Sequence, residues 1–288
     1  MSGTPDFPAA DRATIERAAA LVADADAIVI AAGAGIGVDS GLPDFRGNAG
    51  FWKAYPALAA AGTAFMDIAA PAAFFSNPRR AWGFYGHRLD LYRRTVPHAG
   101  YGLLRKWGEA RHHGYFVFTS NVDGHFQKAG FDPLRIDECH GAIHRLQCLL
   151  PCTPCVWPAA GIKPTVDTAR CELLGPLPAC PHCGGIARPN ILMFDDDGWI
   201  GDTRALQAAR CQSWLEQVRQ PLVIEIGAGL TIPTVRQFAH RVVRRHGGSL
   251  LRINPRDAHT GGLPGIGIAG GALETLVAID AMLGARHA

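Results

Sequence analysis

Residues 27–47 read AIVIAAGAGIGVDSGLPDFRG, an apolar run that gives way to a glycine-rich turn. The run Ala27–Ala31 has the pattern of a buried strand, so the glycines fall where that strand turns toward a helix. Such a turn presents backbone N–H groups to an anion, and glycine lets a pyrophosphate approach the backbone closely. The Pro-Asp-Phe-Arg tail adds a carboxylate, an aromatic ring and a cation, which favours a nucleotide as the ligand.

The rest of the chain alternates between strand and helix patterns, which predicts an α/β fold with a parallel sheet. Helical spacing at 12–24 precedes the first strand, and further helices are predicted across 60–95 and from Pro97 to Trp107. Because ligands bind at the carboxyl ends of parallel strands, the residues that follow each strand are candidates for the site. The later predicted strands are 115–119, 221–226 and 249–254.

Composition sets limits on the class of protein. The chain has 288 residues, 48% of them hydrophobic and 18% charged, which is ordinary for a globular protein with an ample core. A net charge of +3 gives no reason to expect nucleic-acid binding. The sequence lacks a signal-peptide pattern and an apolar run long enough to cross a bilayer, so we expect a cytoplasmic protein without a membrane partner.

Six of the eight cysteines lie between positions 148 and 183, and this clustering predicts a metal site rather than disulfides. Cys180-Pro-His-Cys183-Gly-Gly has the form of a zinc knuckle. The partner pair is either Cys148 with Cys152 or Cys152 with Cys155, and both spacings are open. We take Cys148, Cys152, Cys180 and Cys183 as the predicted ligand set. Four thiolates close the coordination shell of zinc, so the metal is expected to be structural.

These patterns predict a Rossmann-like parallel-sheet domain with a smaller helical and zinc-binding module inserted. The segment 141–195 is rich in proline and has little periodicity, as expected of a module held together by a metal. We assign residues 1–47, 96–140 and 196–288 to the sheet domain. The small domain then comprises the helical insertion 48–95 and the zinc-binding module 141–195.

Four separated motifs make this chain similar to the sirtuin family, whose members are protein deacylases that consume NAD. They occur in the order of the family and cover nearly the whole chain. The motifs are Gly33-Ala34-Gly35 with Gly41-Leu42-Pro43-Asp44-Phe45-Arg46, then Thr119-Ser120-Asn121-Val122-Asp123-Gly124, then Cys139-His140-Gly141, and last the cysteine pairs with Arg188-Pro189-Asn190-Ile191-Leu192-Met193-Phe194.

The resemblance implies a role for each matching residue. His140 corresponds to the general base, while Asn121 and Asp123 hold the ribose and the nicotinamide carboxamide. Residues expected to bind NAD are Gly33, Ala34, Gly35, Asp44, Phe45, Arg46, Ser120, Asn121, Asp123, Gly227, Gly229 and Asn254. Ile191 and Phe194 belong to the segment that pairs with the substrate peptide by β-strand addition.

The implied reaction transfers the acyl group of a modified lysine to NAD and releases nicotinamide, free lysine and O-acyl-ADP-ribose. A neutral His140 can accept a proton from a ribose hydroxyl, since the pKa of histidine is ordinarily near 6.5. Acyl-lysine proteins are the expected partners. Other readings are an enzyme for simple acetyl-lysine, a mono-ADP-ribosyltransferase, and a protein that binds NAD or ADP-ribose without turnover.

Tyr85 and Arg88 lie three residues apart in a predicted helix and therefore on one face of it. A phenol and a guanidinium together can hold a carboxylate. The pair resembles the one that the desuccinylase and demalonylase branch of the family uses to bind acidic acyl groups, so succinyl- and malonyl-lysine are the expected substrates.

The sequence also departs from the family pattern near the predicted NAD site. Gly37 and Gly229 replace serines, and Ser120 replaces a glutamine. His125-Phe126 replaces Leu-His or Leu-Glu, and Asp195-Asp196 replaces Gly-Glu. Arg46, Asn121, Asp123 and His140 are retained, so the departures bear on the efficiency of the enzyme and on its choice of acyl group.

Overall fold

The computed structural model of the chain describes residues 11–43 and 47–285. Within these residues the chain forms eleven strands. In chain order they are β1 (Ile28–Ala32), β2 (Tyr115–Thr119), β3 (Ile136–Glu138), β4 (Gly141–Cys148), β5 (Trp157–Pro158), β6 (Thr165–Asp167), β7 (Glu172–Leu174), β8 (Ala187–Ile191), β9 (Leu222–Ile226), β10 (Ser249–Ile253) and β11 (Gly265–Ile268).

The same residues form eleven α-helices and two short 3₁₀ helices, at Ala34–Ser40 and Pro133–Arg135. The α-helices are α1 (Arg12–Asp24), α2 (Gly47–Ala54), α3 (Pro56–Ala60), α4 (Phe65–Ile68), α5 (Pro71–Ser76), α6 (Pro78–Arg94), α7 (Ala99–Glu109), α8 (His125–Lys128), α9 (Asp202–Leu215), α10 (Thr234–His246) and α11 (Ala272–Ala285). None of the helices in the described ranges is both long and apolar enough to span a bilayer.

A six-stranded parallel sheet in the order β11-β10-β9-β1-β2-β3 confirms the predicted α/β class. Ala32, the last residue of β1, lies level with Thr119 of β2 and Ile226 of β9. The loops that follow these strands therefore start at the same height on one edge of the sheet. All residues of β1, β2 and β9 are buried, as expected for strands with helices on both faces.

Helices cover both faces of this sheet, and each face has its own apolar core. One face packs against α1, α7 and α11, with Ile15, Tyr101 and Leu276 in its core. The opposite face packs against α9 and α10, which contribute Leu215 and Phe238. The sheet is thereby held rigid, which fixes the positions at which its strands end.

A third core lies among α2–α6 and the small sheets. The antiparallel sheet β5-β4-β8 and the hairpin β6–β7 were not predicted. Apart from β4 these strands have five residues or fewer, and β5 and β8 each contain a proline. Helix α6 is joined to β8 by the Trp82 indole N–H, which donates to Ala187 O at 2.8 Å. Arg93 of α6 donates to the backbone oxygens of Ala159 and Ile162. The helical insertion and the cysteine-rich segment thus pack as neighbours.

Candidate active site

The two glycine loops after β1 and β9 are fastened to each other through their backbones. Gly33 N donates to Ile226 O at 2.9 Å, and Gly35 N donates to Gly227 O at 3.1 Å. A Cβ on Gly33 would lie 2.7 Å from Gly227 O, too close for any other residue to fit. These two N–H groups are satisfied by the protein itself, so our expectation of unpaired amides does not hold for Gly33 and Gly35. The two glycines instead let the loops meet over the end of β1.

Asn254, at the end of β10, shapes the second glycine loop. Its side chain is fully buried; Nδ2 donates to Ala228 O at 2.9 Å, and Oδ1 accepts from the N–H groups of Arg256 and Asp257. The amide is therefore committed to the backbone. Gly229 is exposed at the same edge, and a Cβ there would meet nothing within 4 Å.

The segment after β2 is tied to the first glycine loop by a chain of hydrogen bonds. Thr119 Oγ1 donates to Ala32 O at 3.0 Å and accepts from Asn121 N at 3.0 Å. Asn121 Nδ2 donates to Gly33 O at 3.1 Å, and Ser120 N donates to Ala32 O. The structure therefore brings Ser120 and Asn121 to the loop that holds Gly33–Gly35, as the motifs predicted.

Asp123 is a buried carboxyl beside this segment, only 7% exposed. Its Oδ1 accepts the backbone N–H of His125 at 2.9 Å. Burial raises the pKa of Asp123, while the neighbouring His125 opposes the shift. Such a carboxyl is suited to hold a donor such as a carboxamide N–H or a ribose hydroxyl.

His140 lies in the turn between β3 and β4. Burial lowers the pKa of its imidazole, a hydrogen bond to the Ser120 backbone opposes that shift, and the nearby Arg204 cation adds to it. The ring is therefore neutral at pH 7, as a general base must be. Its backbone oxygen accepts from Leu192 N at 3.0 Å. His140 thus contacts both the end of β2, through Ser120, and the segment after β8, through Leu192.

Ile191 and Phe194 lie at the edge of the small sheet. Ile191 pairs with Gly141 of β4, and β8 has no strand on its other side among the residues that the structure describes. Phe194 N donates to Ala69 O at 2.9 Å, and the Phe194 ring packs edge-on against Phe65 with centroids 6.0 Å apart. Both predicted residues therefore border the segment that faces the helical insertion.

A buried ion pair holds this segment in place. Arg188 donates to both carboxylate oxygens of Asp196, at 2.7 and 2.8 Å, and neither side chain is exposed. Arg188 also donates to Ile191 O at 3.3 Å, while Asp196 Oδ2 accepts from Met193 N at 3.2 Å. Asp195 has a φ of 53°, a left-handed conformation that aspartate tolerates better than most residues. In the Asp195-Asp196 pair that departs from the family pattern, Asp195 therefore forms the turn and Asp196 is the ion-pair partner of Arg188.

Helix α6 presents Tyr85 and Arg88 in an aromatic pocket, together with a third residue. Arg88 Nε and Nη2 donate to Tyr92 Oη at 3.0 and 2.8 Å. The guanidinium carbon lies 5.1 Å from the ring centre of Phe84 and 5.8 Å from that of Tyr85. Burial raises the pKa of Tyr85 to about 12, so its hydroxyl remains protonated. The motif did not identify Tyr92, although its position four residues after Arg88 was a signal.

The structure brings together Cys148, Cys152, Cys180 and Cys183, and their sulfur atoms lie within 4.8 Å of one another. Cys148 Sγ is 3.6 Å from Cys183 Sγ, and Cys152 Sγ is 3.7 Å from Cys180 Sγ. Sulfurs bound at about 2.3 Å to one tetrahedral zinc lie about 3.8 Å apart, so the set fits zinc. Cys155 is exposed outside the set, which decides between the two predicted spacings.

The remaining predicted residues, Asp44, Phe45 and Arg46, lie outside the described residues. Ala34 is exposed at the start of the 3₁₀ helix after β1. Taken together, the described residues place a neutral imidazole, a buried carboxyl and an amide beside two glycine loops. This arrangement can orient a dinucleotide and remove a proton from one of its hydroxyls.

The model of the Sir2 family matches residues 33–232. An NAD-dependent protein deacylase of Aquifex aeolicus is 27% identical over 234 residues, which cover 80% of this chain and 84% of that protein. NAD-dependent protein deacylase 2 of Pyrobaculum aerophilum is 28% identical over 256 residues, 89% of this chain and 90% of that protein. A solved Sir2 homolog–NAD complex shares the fold, with a TM-score of 0.71 at 22% identity over 94% of each chain.

Proposed function

The chain belongs to the Sir2 family, and we propose on that basis that it is an NAD-dependent protein lysine deacylase. Its products would be nicotinamide, free lysine and O-acyl-ADP-ribose. The observation that carries the proposal is the position of His140. Its ring is held against Ser120 at the end of β2, and its backbone oxygen binds Leu192 beside the edge of β8. A base in this position would lie between the proposed dinucleotide site and the proposed peptide site.

The residues present fit NAD. Gly33, Ala34, Gly35, Gly227 and Gly229 would line the pyrophosphate and adenosine side, with Asp44, Phe45 and Arg46 completing the first loop. NAD, when bound, supplies the ribose carbon that accepts the acyl oxygen as nicotinamide leaves. Ser120, Asn121 and Asp123 would orient the ribose and carboxamide, and a His140 ring nitrogen would take the proton from a ribose hydroxyl. Asn254 would act indirectly, by fixing the shape of the second loop.

The substrate peptide would add as a strand beside the segment 191–194. Main-chain hydrogen bonds give such complexes their affinity, which suits an enzyme acting on acyl-lysines in different proteins. Ile191 and Phe194 would flank the acyl-lysine. The zinc bound by the four cysteines would hold this segment in position. Its role would be structural, because thiolates take all four coordination sites and none is left for chemistry.

We further propose that the chain is divided into two domains as its sequence predicts. Residues 1–47, 96–140 and 196–288 would form the NAD-binding domain, and residues 48–95 and 141–195 the small domain. The separate core shared by α2–α6 and the small sheets supports this division. NAD and peptide would then meet at the boundary, where His140 ends one segment and Gly141 begins the next.

Arg88 would bind the acid end of a succinyl or malonyl group. It is a buried cation surrounded by aromatic rings, where the guanidinium is oriented by Tyr92 and an anion would be poorly screened by water. Tyr85, with its protonated hydroxyl, would donate a second hydrogen bond. Tyr92 would orient the guanidinium of Arg88 so that a carboxylate could accept two parallel hydrogen bonds from it.

The test compares acetyl-, succinyl- and malonyl-lysine versions of one peptide, following both peptide mass and nicotinamide release. His140→Ala should abolish deacylation, while His112→Ala, an exposed histidine at the opposite end of the strands, should not. Nicotinamide release with the peptides intact would instead indicate ADP-ribosyl transfer or NAD hydrolysis. Absence of both signals would indicate a binding protein and contradict the proposal.

The acyl preference is read from a ratio of activities. Arg88→Met should lower the succinyl-to-acetyl ratio of kcat/KM by about ten- to a hundredfold, since a hydrogen bond to a charged group is worth about 1.5–3 kcal/mol. Tyr92→Phe, which removes only the hydroxyl, should lower it less. A ratio unchanged by Arg88→Met would contradict the role of Arg88 while leaving the deacylase intact.

A further inference from the structure

A cavity of about 430 Å³ lies between α9 and α10, on the face of the sheet that those helices cover. Its apolar wall includes Phe118 of β2, Leu215 of α9 and Phe238 of α10. The rings of Phe118 and Phe238 are stacked almost parallel, with centroids 3.8 Å apart and an interplanar angle of 5°. The two rings cover one face of each other, so the wall that they form with Leu215 is apolar and closely packed. The volume is within the range of small-molecule sites.

Arginines surround this apolar wall. Arg204 of α9 and Arg241 and Arg245 of α10 are among the lining residues, and Asp137 is the one acidic residue among them. Arg241 and Arg245 are exposed at the mouth, whereas Asp137 is only 2% exposed. The cavity thus combines an apolar wall with an excess of positive charge.

The single carboxylate does not satisfy the nearest arginine. Arg204 Nε lies 3.5 Å from Asp137 Oδ1, and neither atom has a hydrogen-bond partner among the described residues, although both are buried. Burial raises the pKa of Asp137 to about 6, while the Arg204 cation opposes that shift. The Arg204 side chain is 38% exposed, so the guanidinium is accessible to an anion in the cavity.

We infer that this cavity binds a small apolar carboxylate, with its apolar body against the wall of Phe118, Leu215 and Phe238 and its carboxylate on Arg204 and the arginines of α10. An apolar body fits this wall, and a planar anion fits guanidinium groups through paired hydrogen bonds. None of the residues assigned to NAD, peptide or zinc lines the cavity. The inference is therefore independent of the proposed deacylase activity.

The probe is 2-naphthoate, titrated by its own fluorescence into the full chain saturated with ADP-ribose. We expect saturable binding in the millimolar range or tighter, with neutral 2-naphthylmethanol and inorganic phosphate each binding at least about tenfold more weakly. The double variant Arg241→Gln/Arg245→Gln should weaken naphthoate by about tenfold or more. Arg219→Gln, an exposed arginine outside the cavity, should not.

Any of four results would overturn the inference. These are no saturable binding, equal affinity for the alcohol, equal affinity for phosphate, and unchanged affinity in the double variant. Equal binding of phosphate would reveal only a surface patch of arginines. Because Arg241 and Arg245 are exposed, their replacement should not unfold the protein, and the melting temperature of the variant checks this.

Discussion

Replacing Asp196 with Asn breaks the buried ion pair that holds the segment after β8. The substitution keeps the size of the side chain and removes its charge, so Arg188 remains as a cation with no exposure to water. Removing one partner of a buried pair typically costs about 3–5 kcal/mol, because the other charge stays buried without compensation. The hydrogen bond from Met193 N to Asp196 is weakened as well.

The expected change in melting temperature follows from the size of the chain. An unfolding entropy of about 2.1 cal/mol/K per residue gives roughly 0.6 kcal/mol/K for 288 residues. A loss of about 3–5 kcal/mol then lowers the melting temperature by about 5–8 °C. Asp197→Asn is the matched control, since Asp197 is exposed one position further along.

Calorimetry on the wild type and each variant is the assay, with far-UV circular dichroism to confirm that each protein folds. The double variant Arg188→Met/Asp196→Leu should recover at least half of the lost stability, because apolar pairs often replace buried ion pairs without penalty. An Asp196→Asn protein that melts within about 1 °C of the Asp197→Asn control would refute the reasoning.

Three further predictions concern the base, the metal and the glycine loops. The acid limb of the pH profile of kcat/KM should have its midpoint below about 6.5, the ordinary pKa of histidine, because burial disfavours protonated His140. Arg204→Gln removes a cation that also disfavours protonation of His140, so the acid limb of this variant should move to higher pH. An acid limb at the wild-type pH would contradict this prediction. Cys148→Ser should reduce zinc content and thermal stability, as measured by metal analysis and melting, whereas Cys155→Ser should leave both unchanged. Gly33→Ala should weaken ADP-ribose binding in calorimetric titration, because the added Cβ would lie 2.7 Å from Gly227 O and push the two loops apart. Wild-type affinity in this variant would show that the loops can accommodate the Cβ.

The parts of the fold that the sequence predicted are those governed by local pattern. The apolar run before Gly33 could be read as a buried strand, and the motif order predicted the family that the comparison then showed. Cysteine spacing predicted a metal cluster but left Cys148 and Cys155 open, because spacing alone does not fix the path of the chain between the knuckles. The structure decides in favour of Cys148.

The parts that the sequence did not predict depend on contacts between distant residues or on compact turns. The pairing of Arg188 with Asp196 spans a turn in which Asp195 has a positive φ, and no periodicity signals such a turn. The orientation of Arg88 toward Tyr92 required knowing which face of α6 is buried. The roles of Asp44, Phe45 and Arg46 stay predictions.

The strand order also has a consequence for folding during synthesis. The ribosome produces β1, β2 and β3 first, then all strands of the small sheets, and only afterwards β9, which pairs with the other edge of β1. About 107 residues separate the end of β2 at Thr119 from the end of β9 at Ile226, and at 5–20 residues per second their synthesis takes about 5–21 s. For that time the edge of β1 is an unpaired, apolar strand in a nascent chain. The zinc-binding cysteines emerge before it is covered, so metal supply during translation should influence how much protein escapes aggregation.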